Sequence, residues 1–263
     1  MSSLLAAAFL GFLQAVTEFV PVSSTGHLIL AQRFFNFDTN IFNLSFDIVL
    51  HFGTLFALVL FFWKDLKGIV ASPFKKGSNK KLFYSLVIAI IPAILIGFIF
   101  KDFINEYLRG EVVIAIALVV VGIVFIFAEN VSEKKRDLKD VKIKDGALIG
   151  SAQSLALVPG VSRSGITTVA GLFSGFKRED AARFSFLLSI PTILFVSLND
   201  IYQLYKSKLP SNYIDIYIVG FVVSAFFSFL TIKYFLNYLK KHTLKPFAYY
   251  RFALAILVLL VIF

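Results

Sequence analysis

Gln14 and Glu18 stand four residues apart, so on a helix both side chains leave by the same face. Glu18 lies among Phe19, Val20 and Pro21, where a lone carboxylate is costly unless it holds a cation or a proton. Ser23-Ser24-Thr25-Gly26-His27 follows at once and offers three hydroxyls, a glycine amide and an imidazole. A second segment, Pro159-Gly160-Val161-Ser162-Arg163-Ser164-Gly165, adds two hydroxyls and a guanidinium, and Thr167 and Thr168 open the helix expected after it. Hydroxyls, glycine amides, a helix N-terminus and an Arg fork together make a cradle for phosphate. Phosphate binding alone needs neither Glu18 nor His27. They suit the holding of a metal and the transfer of a proton, so the set reads as phosphoryl chemistry.

Each residue also has a plainer reading. Ser, Thr and Gly in membrane helices allow close helix packing, Arg163 can snorkel to an interface, and His27 can serve as a cap or packing group. Asp47 and His51, again four apart, must face the protein interior. For them a structural polar pair stands beside a supporting role at the site.

The elements that must position these groups are membrane elements. The chain is 58% hydrophobic and 16% charged over 263 residues, with a mean hydropathy of +0.83. Its apolar runs at 46–63, 82–100, 112–128, 184–198, 214–235 and 252–263 approach or reach the roughly 20 residues that cross a bilayer as a helix. The net charge of +10 would point to nucleic acid in a soluble chain. Here the basic residues fall between apolar runs, so topology and lipid head groups account for them and no nucleic-acid partner is expected. Cysteine is absent, which excludes disulfides and thiolate metal ligands. No basic leader precedes the first apolar residues, so 4–15 reads as retained structure.

Lys64, Lys67, Lys75, Lys76, Lys80 and Lys81 follow the first run, and six more basic residues lie between Lys134 and Lys144. Lys177, Arg178 and Arg183 make a third group, and Lys240, Lys241, Lys245 and Arg251 a last one. The poor loops carry only Lys101 with Arg109, and Lys206 with Lys208. Rich loops are expected on the cytoplasmic side and poor ones outside. The pattern alternates only if 147–175 enters the membrane and returns to the cytoplasmic face. Counting backwards, 4–30 is then a hairpin entering from outside.

These hairpins resemble each other. Residues 11–26 and 150–165 align without a gap and share Gly11/Gly150, Gln14/Gln153, Val22/Val161, Ser23/Ser162 and Gly26/Gly165. The likeness continues into 46–55 and 184–193, where Phe46/Phe184 and Thr54/Thr192 match. The expected fold is an all-α integral membrane protein of six transmembrane helices and two re-entrant hairpins. It forms one membrane domain of inverted-topology repeats at 1–128 and 147–263, joined by a short polar linker over 129–145. The copies diverge where chemistry would sit: Glu18 faces Leu157, Ser24 faces Arg163 and His27 faces Ile166.

On Gln14-x-x-x-Glu18, Ser23-Ser24-Thr25-Gly26-His27 and Pro159-Gly160-x-Ser162-Arg163-Ser164-Gly165, the chain resembles the bacterial undecaprenyl-diphosphatases of the bacitracin-resistance type. Spacing, length and hydropathy pattern agree from end to end. The resemblance implies removal of the terminal phosphate of undecaprenyl diphosphate, which recycles the cell-wall lipid carrier. It also implies dependence on a divalent cation, a site open to the external face of the cytoplasmic membrane, and a homodimer among membrane lipids. Many members have Glu where this chain has Gln14, which shifts weight onto Glu18.

Together the two lines of reading give Arg163 the role of phosphate clamp and charge stabiliser, with Ser162, Ser164, Gly165 and Thr168 from the second loop and Ser23, Thr25 and Gly26 from the first. Glu18, with Gln14, would hold Mg²⁺ or Ca²⁺. His27 is the expected general acid or base, and Ser24 the expected nucleophile, with direct attack by water as its rival. Gln153, Asp47 and His51 would support this set. A transporter or flippase for an anion or a phosphorylated lipid is the competing class, since inverted repeats with broken helices also build secondary transporters.

Overall fold

The computed structural model describes residues 2–75, 80–207 and 213–262. Lys76 and Lys208 lie outside this range, and the side chain of Lys206 is likewise not described. The described residues are helical apart from loops and one isolated bridge between Arg136 and Phe176. In chain order the helices are α1 (Ser3–Phe19), α2 (Ser24–Phe35), α3 (Leu44–Phe61), α4 (Trp63–Ala71), α5 (Lys80–Ile99) and α6 (Lys101–Tyr107). They continue with α7 (Glu111–Val131), α8 (Ile143–Ser154), α9 (Arg163–Phe173), α10 (Arg178–Ser207), α11 (Ile214–Leu239) and α12 (Lys245–Ile262). By length and apolar composition α3, α5, α7 and α11 can cross a bilayer. The apolar run 184–198 lies within α10, and α12 carries residues 252–262 of the last run. The chain is an all-helical, multi-pass membrane protein.

Close backbone approach sets the packing. α1 lies on α11 at Gly11, where an added Cβ would stand 2.8 Å from the Gly220 carbonyl oxygen. At the aligned position Gly150, α8 lies on α5, where a Cβ would meet Ala89 at 2.5 Å. Each broken segment thus rests on a long helix from the other half of the chain. α7 packs along α12, and α3 along both α11 and α10.

The polar linker is clasped rather than free. Arg136 forks onto Asp145 at 3.1 and 2.6 Å and donates to the Ser174 carbonyl. Lys177 donates to Asp137 and holds its carboxyl below the usual carboxylate range. Glu129, buried at the end of α7, accepts from Arg178 and from the Leu244 amide, so one carboxylate ties α7 to α10 and to the entry of α12.

One expectation fails here. Arg251 was counted with the cytoplasmic basic cluster, yet it is fully buried. The helix that carries it begins at Lys245 rather than at the apolar run from Phe252, so the residue rides inside the bundle. Counting loop charges cannot separate a cation that flanks an apolar run from one already within the helix.

Candidate active site

Both hairpins break in the same way. Ser23 precedes α2 at φ 74°, and its hydroxyl accepts from the Gly26 amide; Ser162 precedes α9 at φ 72° and accepts from the Gly165 amide. A left-handed residue other than glycine is uncommon, and two at aligned positions mark a shared local design. The caps satisfy the helix ends and leave Ser24 and Arg163, one residue on, at the first turn of each helix.

Between the breaks lies a cavity of about 260 Å³. Ser23, Ser24 and Thr25 line it from the first loop, and Pro159, Gly160, Ser162 and Arg163 from the second. α1 contributes Thr17 and Glu18, α3 contributes Ile48 and His51, and α10 contributes Thr192, Ile193 and Val196. With Ala156 and Val158, the lining combines hydrocarbon with polar groups.

Glu18 is the hub of the polar groups. One carboxylate oxygen accepts from Arg163 Nη2 at 2.5 Å. The other accepts from Ser24 Oγ at 3.0 Å and from Gln14 Nε2 at 3.2 Å. The Gln14 amide nitrogen also stands 3.1 Å from His51 Nδ1. That nitrogen carries two hydrogens, one for the Glu18 carboxylate and one directed toward the His51 ring. Two polar atoms beside this hub are buried without partners, the Gln14 amide oxygen and Arg163 Nη1. Buried polar atoms are ordinarily satisfied. An unpaired acceptor and an unpaired cationic donor flanking one carboxylate therefore mark places where a cation and an anion would each find an unmet need.

The structure brings together Gln14, Glu18, Ser23, Ser24, Thr25, Ser162, Arg163 and His51. Other expected residues stand back. His27 does not line the cavity; its Nδ1 meets the Ser23 carbonyl at 2.7 Å and its Nε2 meets the Tyr250 hydroxyl at 2.6 Å, the two rings lying 2° from parallel. The Gly26 and Gly165 amides are used by their own caps. Ser164 is buried against Ser162 at 3.4 Å, and Thr168 is buried within α9. Gln153 accepts from Thr192 at 3.2 Å, one step behind the cavity wall. Asp47 lies a turn before His51 on α3. Thr17, Thr192, Tyr250 and Arg251 were not anticipated. Thr17 could have been found by helical phase from Gln14, three residues before it on α1, whereas Thr192 meets Gln153 from another helix. Tyr250 and Arg251 carry no local signal, since their partners are far away in sequence.

Among the described residues no three His, Cys, Asp or Glu side chains converge as a ready-made metal cage. The donors at hand are the Glu18 carboxylate and the free Gln14 amide oxygen. Magnesium-like ions are commonly held by one or two carboxylates together with substrate phosphates, and this pair fits that pattern.

Residues 7–257 match the family model described as bacitracin resistance protein BacA. The chain is similar to the undecaprenyl-diphosphatase of Rubrobacter xylanophilus, 41% identical with 98% of each chain covered. It is also similar to the undecaprenyl-diphosphatase of Thermodesulfovibrio yellowstonii, 40% identical with 100% of this chain and 99% of the other covered. Undecaprenyl-diphosphatase 3 of Bacillus cereus is 38% identical, with 98% and 97% covered.

Proposed function

The chain belongs to the BacA bacitracin-resistance family, and from that membership we propose that it hydrolyses undecaprenyl diphosphate to undecaprenyl phosphate and inorganic phosphate. The observation that carries the reading is Glu18, which accepts at once from the Ser24 hydroxyl and the Arg163 guanidinium contributed by two different loops. Anion binding alone would not need a carboxylate there.

In this mechanism the lipid's diphosphate enters the cavity at its polar groups and its first prenyl carbons lie against Ile48, Ile193 and Val196. Arg163, with its free Nη1, binds the terminal phosphoryl group and stabilises charge on its oxygens as the transition state forms. Ser24 Oγ attacks the terminal phosphorus and Glu18 takes the hydroxyl proton. The bridging P–O bond breaks, undecaprenyl phosphate leaves, and water then releases inorganic phosphate from Ser24; direct attack by water is the rival course. Mg²⁺ or Ca²⁺, held by Glu18, Gln14 and the phosphate oxygens, would neutralise diphosphate charge. His27 is read as orienting the first loop, because both its ring nitrogens are occupied.

The same proposal extends to the architecture. α3, α5, α7, α10, α11 and α12 are taken as six spans, and α1–α2 and α8–α9 as re-entrant hairpins of two inverted repeats, 1–128 and 147–263. The matching caps at Ser23 and Ser162 and the crosswise seating of α1 on α11 and α8 on α5 support this reading. The protein would reside in the bacterial cytoplasmic membrane with its cavity opening outward. The test is phosphate release from undecaprenyl diphosphate by purified protein in detergent. Release is expected, with loss in Arg163→Ala, in Glu18→Gln and on chelation. Near-normal turnover in either folded variant sinks the assignment, and no release by the wild type favours a transporter.

A further inference from the structure

Among the described residues Arg251 is the largest fully buried side chain, and no carboxylate pairs with it. Its partners are all carbonyl oxygens. Nε donates to Leu118 at 3.2 Å and Nη2 to Ala117 at 3.3 Å, both on α7. Nη1 donates to Pro21 at 3.4 Å and Nη2 to Gly160 at 2.8 Å. Its face covers the Phe125 ring at 5.3 Å. A cation buried at this depth costs more than an apolar residue of its size, so its presence asks for a reason.

Pro21 and Gly160 supply that reason. They occupy aligned positions in the two hairpins, each three residues before a reacting side chain, Ser24 in one and Arg163 in the other. Both carbonyls lie in the breaks, outside any helix, and among the described residues no backbone amide donates to either. The adjacent Tyr250 holds the first loop a second time, through His27. We propose that Arg251 is a positioning residue: its planar fork joins the two broken loops at equivalent carbonyls and so fixes Ser24 and Glu18 against Arg163. Arginine suits this task because its donors point in several fixed directions from one rigid plane. The proposal rests on the phosphatase reading for its kinetic consequence and on geometry alone for its structural one.

Hydrogen–deuterium exchange and phosphate release on purified full-length protein in detergent test both. In Arg251→Met, exchange is expected to rise in peptides covering 20–27 and 158–166 together, with kcat down roughly 100-fold, the scale on which small misplacements act. KM should stay within about threefold, because the phosphate ligands themselves remain. Arg183→Met, which breaks a half-exposed pair with Asp65, is the control and should leave both readouts unchanged. Tyr250→Phe should loosen 20–27 only. Should Arg251→Met fail to fold, Arg251→Lys takes its place; an ammonium has no fork to match these carbonyls, and exchange must still rise at both breaks. Wild-type exchange at either break in a folded variant, or a KM rise with kcat unchanged, overturns the proposal. If wild-type protein releases no phosphate, the proposed reaction falls while the exchange result still decides for or against the clamp.

Discussion

Ser24 and Ser164 are both loop hydroxyls read as part of the site, and they separate in space. Ser24 lines the cavity and donates to Glu18 at 3.0 Å; Ser164 is buried and turned toward Ser162. Ser24→Ala is therefore expected to lower kcat by roughly 10²-fold or more, the scale of losing a reacting group that is activated by its neighbour. Ser164→Ala should stay within a few-fold of wild type, and phosphate release measured on both variants checks the contrast. Gln14 carries a second prediction. Its free amide oxygen stands beside Glu18, so Gln14→Glu sets two carboxylates together. Cation affinity should rise about tenfold, equivalent to roughly 1.4 kcal/mol. Thermal stability in chelator should fall, since like charges then face each other at membrane depth. Titration calorimetry and melting curves with and without Mg²⁺ decide it. The residue types were legible from the sequence because a carboxylate, hydroxyls and an Arg among apolar neighbours are costly without a task. The placement of His27 was not. Its ring is held by Tyr250, 223 residues away, and spacing along a helix says nothing about such a partner.

At the scale of elements, the two breaks depend on backbone that most residues avoid. Gly160 has φ +95°, and an added Cβ would stand 2.7 Å from the Ile114 carbonyl oxygen. Gly160→Ala should therefore destabilise the protein by about 1–3 kcal/mol, read as a lower melting temperature in detergent, with activity falling alongside because the loop that carries Arg163 must shift. The sequence announced these breaks well. Pro, Gly and Ser clusters between apolar runs have few other uses in a membrane chain, and α3, α5, α7 and α11 begin within two residues of their runs, while α10 begins six residues before its own. It announced α12 poorly. The first turns of that helix carry Lys245, Tyr249, Tyr250 and Arg251, a composition that reads as an interfacial loop. Only packing against α7 reveals that Arg251 is enclosed.

At the scale of the whole molecule, neither half of the chain can bury its own broken segment. α1 rests on α11 and α8 on α5, and Glu129 ties α7 to α10 and the entry of α12. Residues 1–132 and 133–263 expressed separately should fail to accumulate. Expressed together they should copurify and recover phosphate release; a stable, monodisperse half on its own would contradict this. The ion pair between Glu18 and Arg163 spans 145 residues of chain. During biogenesis the carboxylate is inserted long before its counter-ion is translated. The nascent first half thus carries an unbalanced charge until Arg163 arrives, and its pocket stays unfinished until α10 adds Thr192, Ile193 and Val196. The two loops are joined only when α12 brings in Arg251, so a chain terminated before it is expected to be inert.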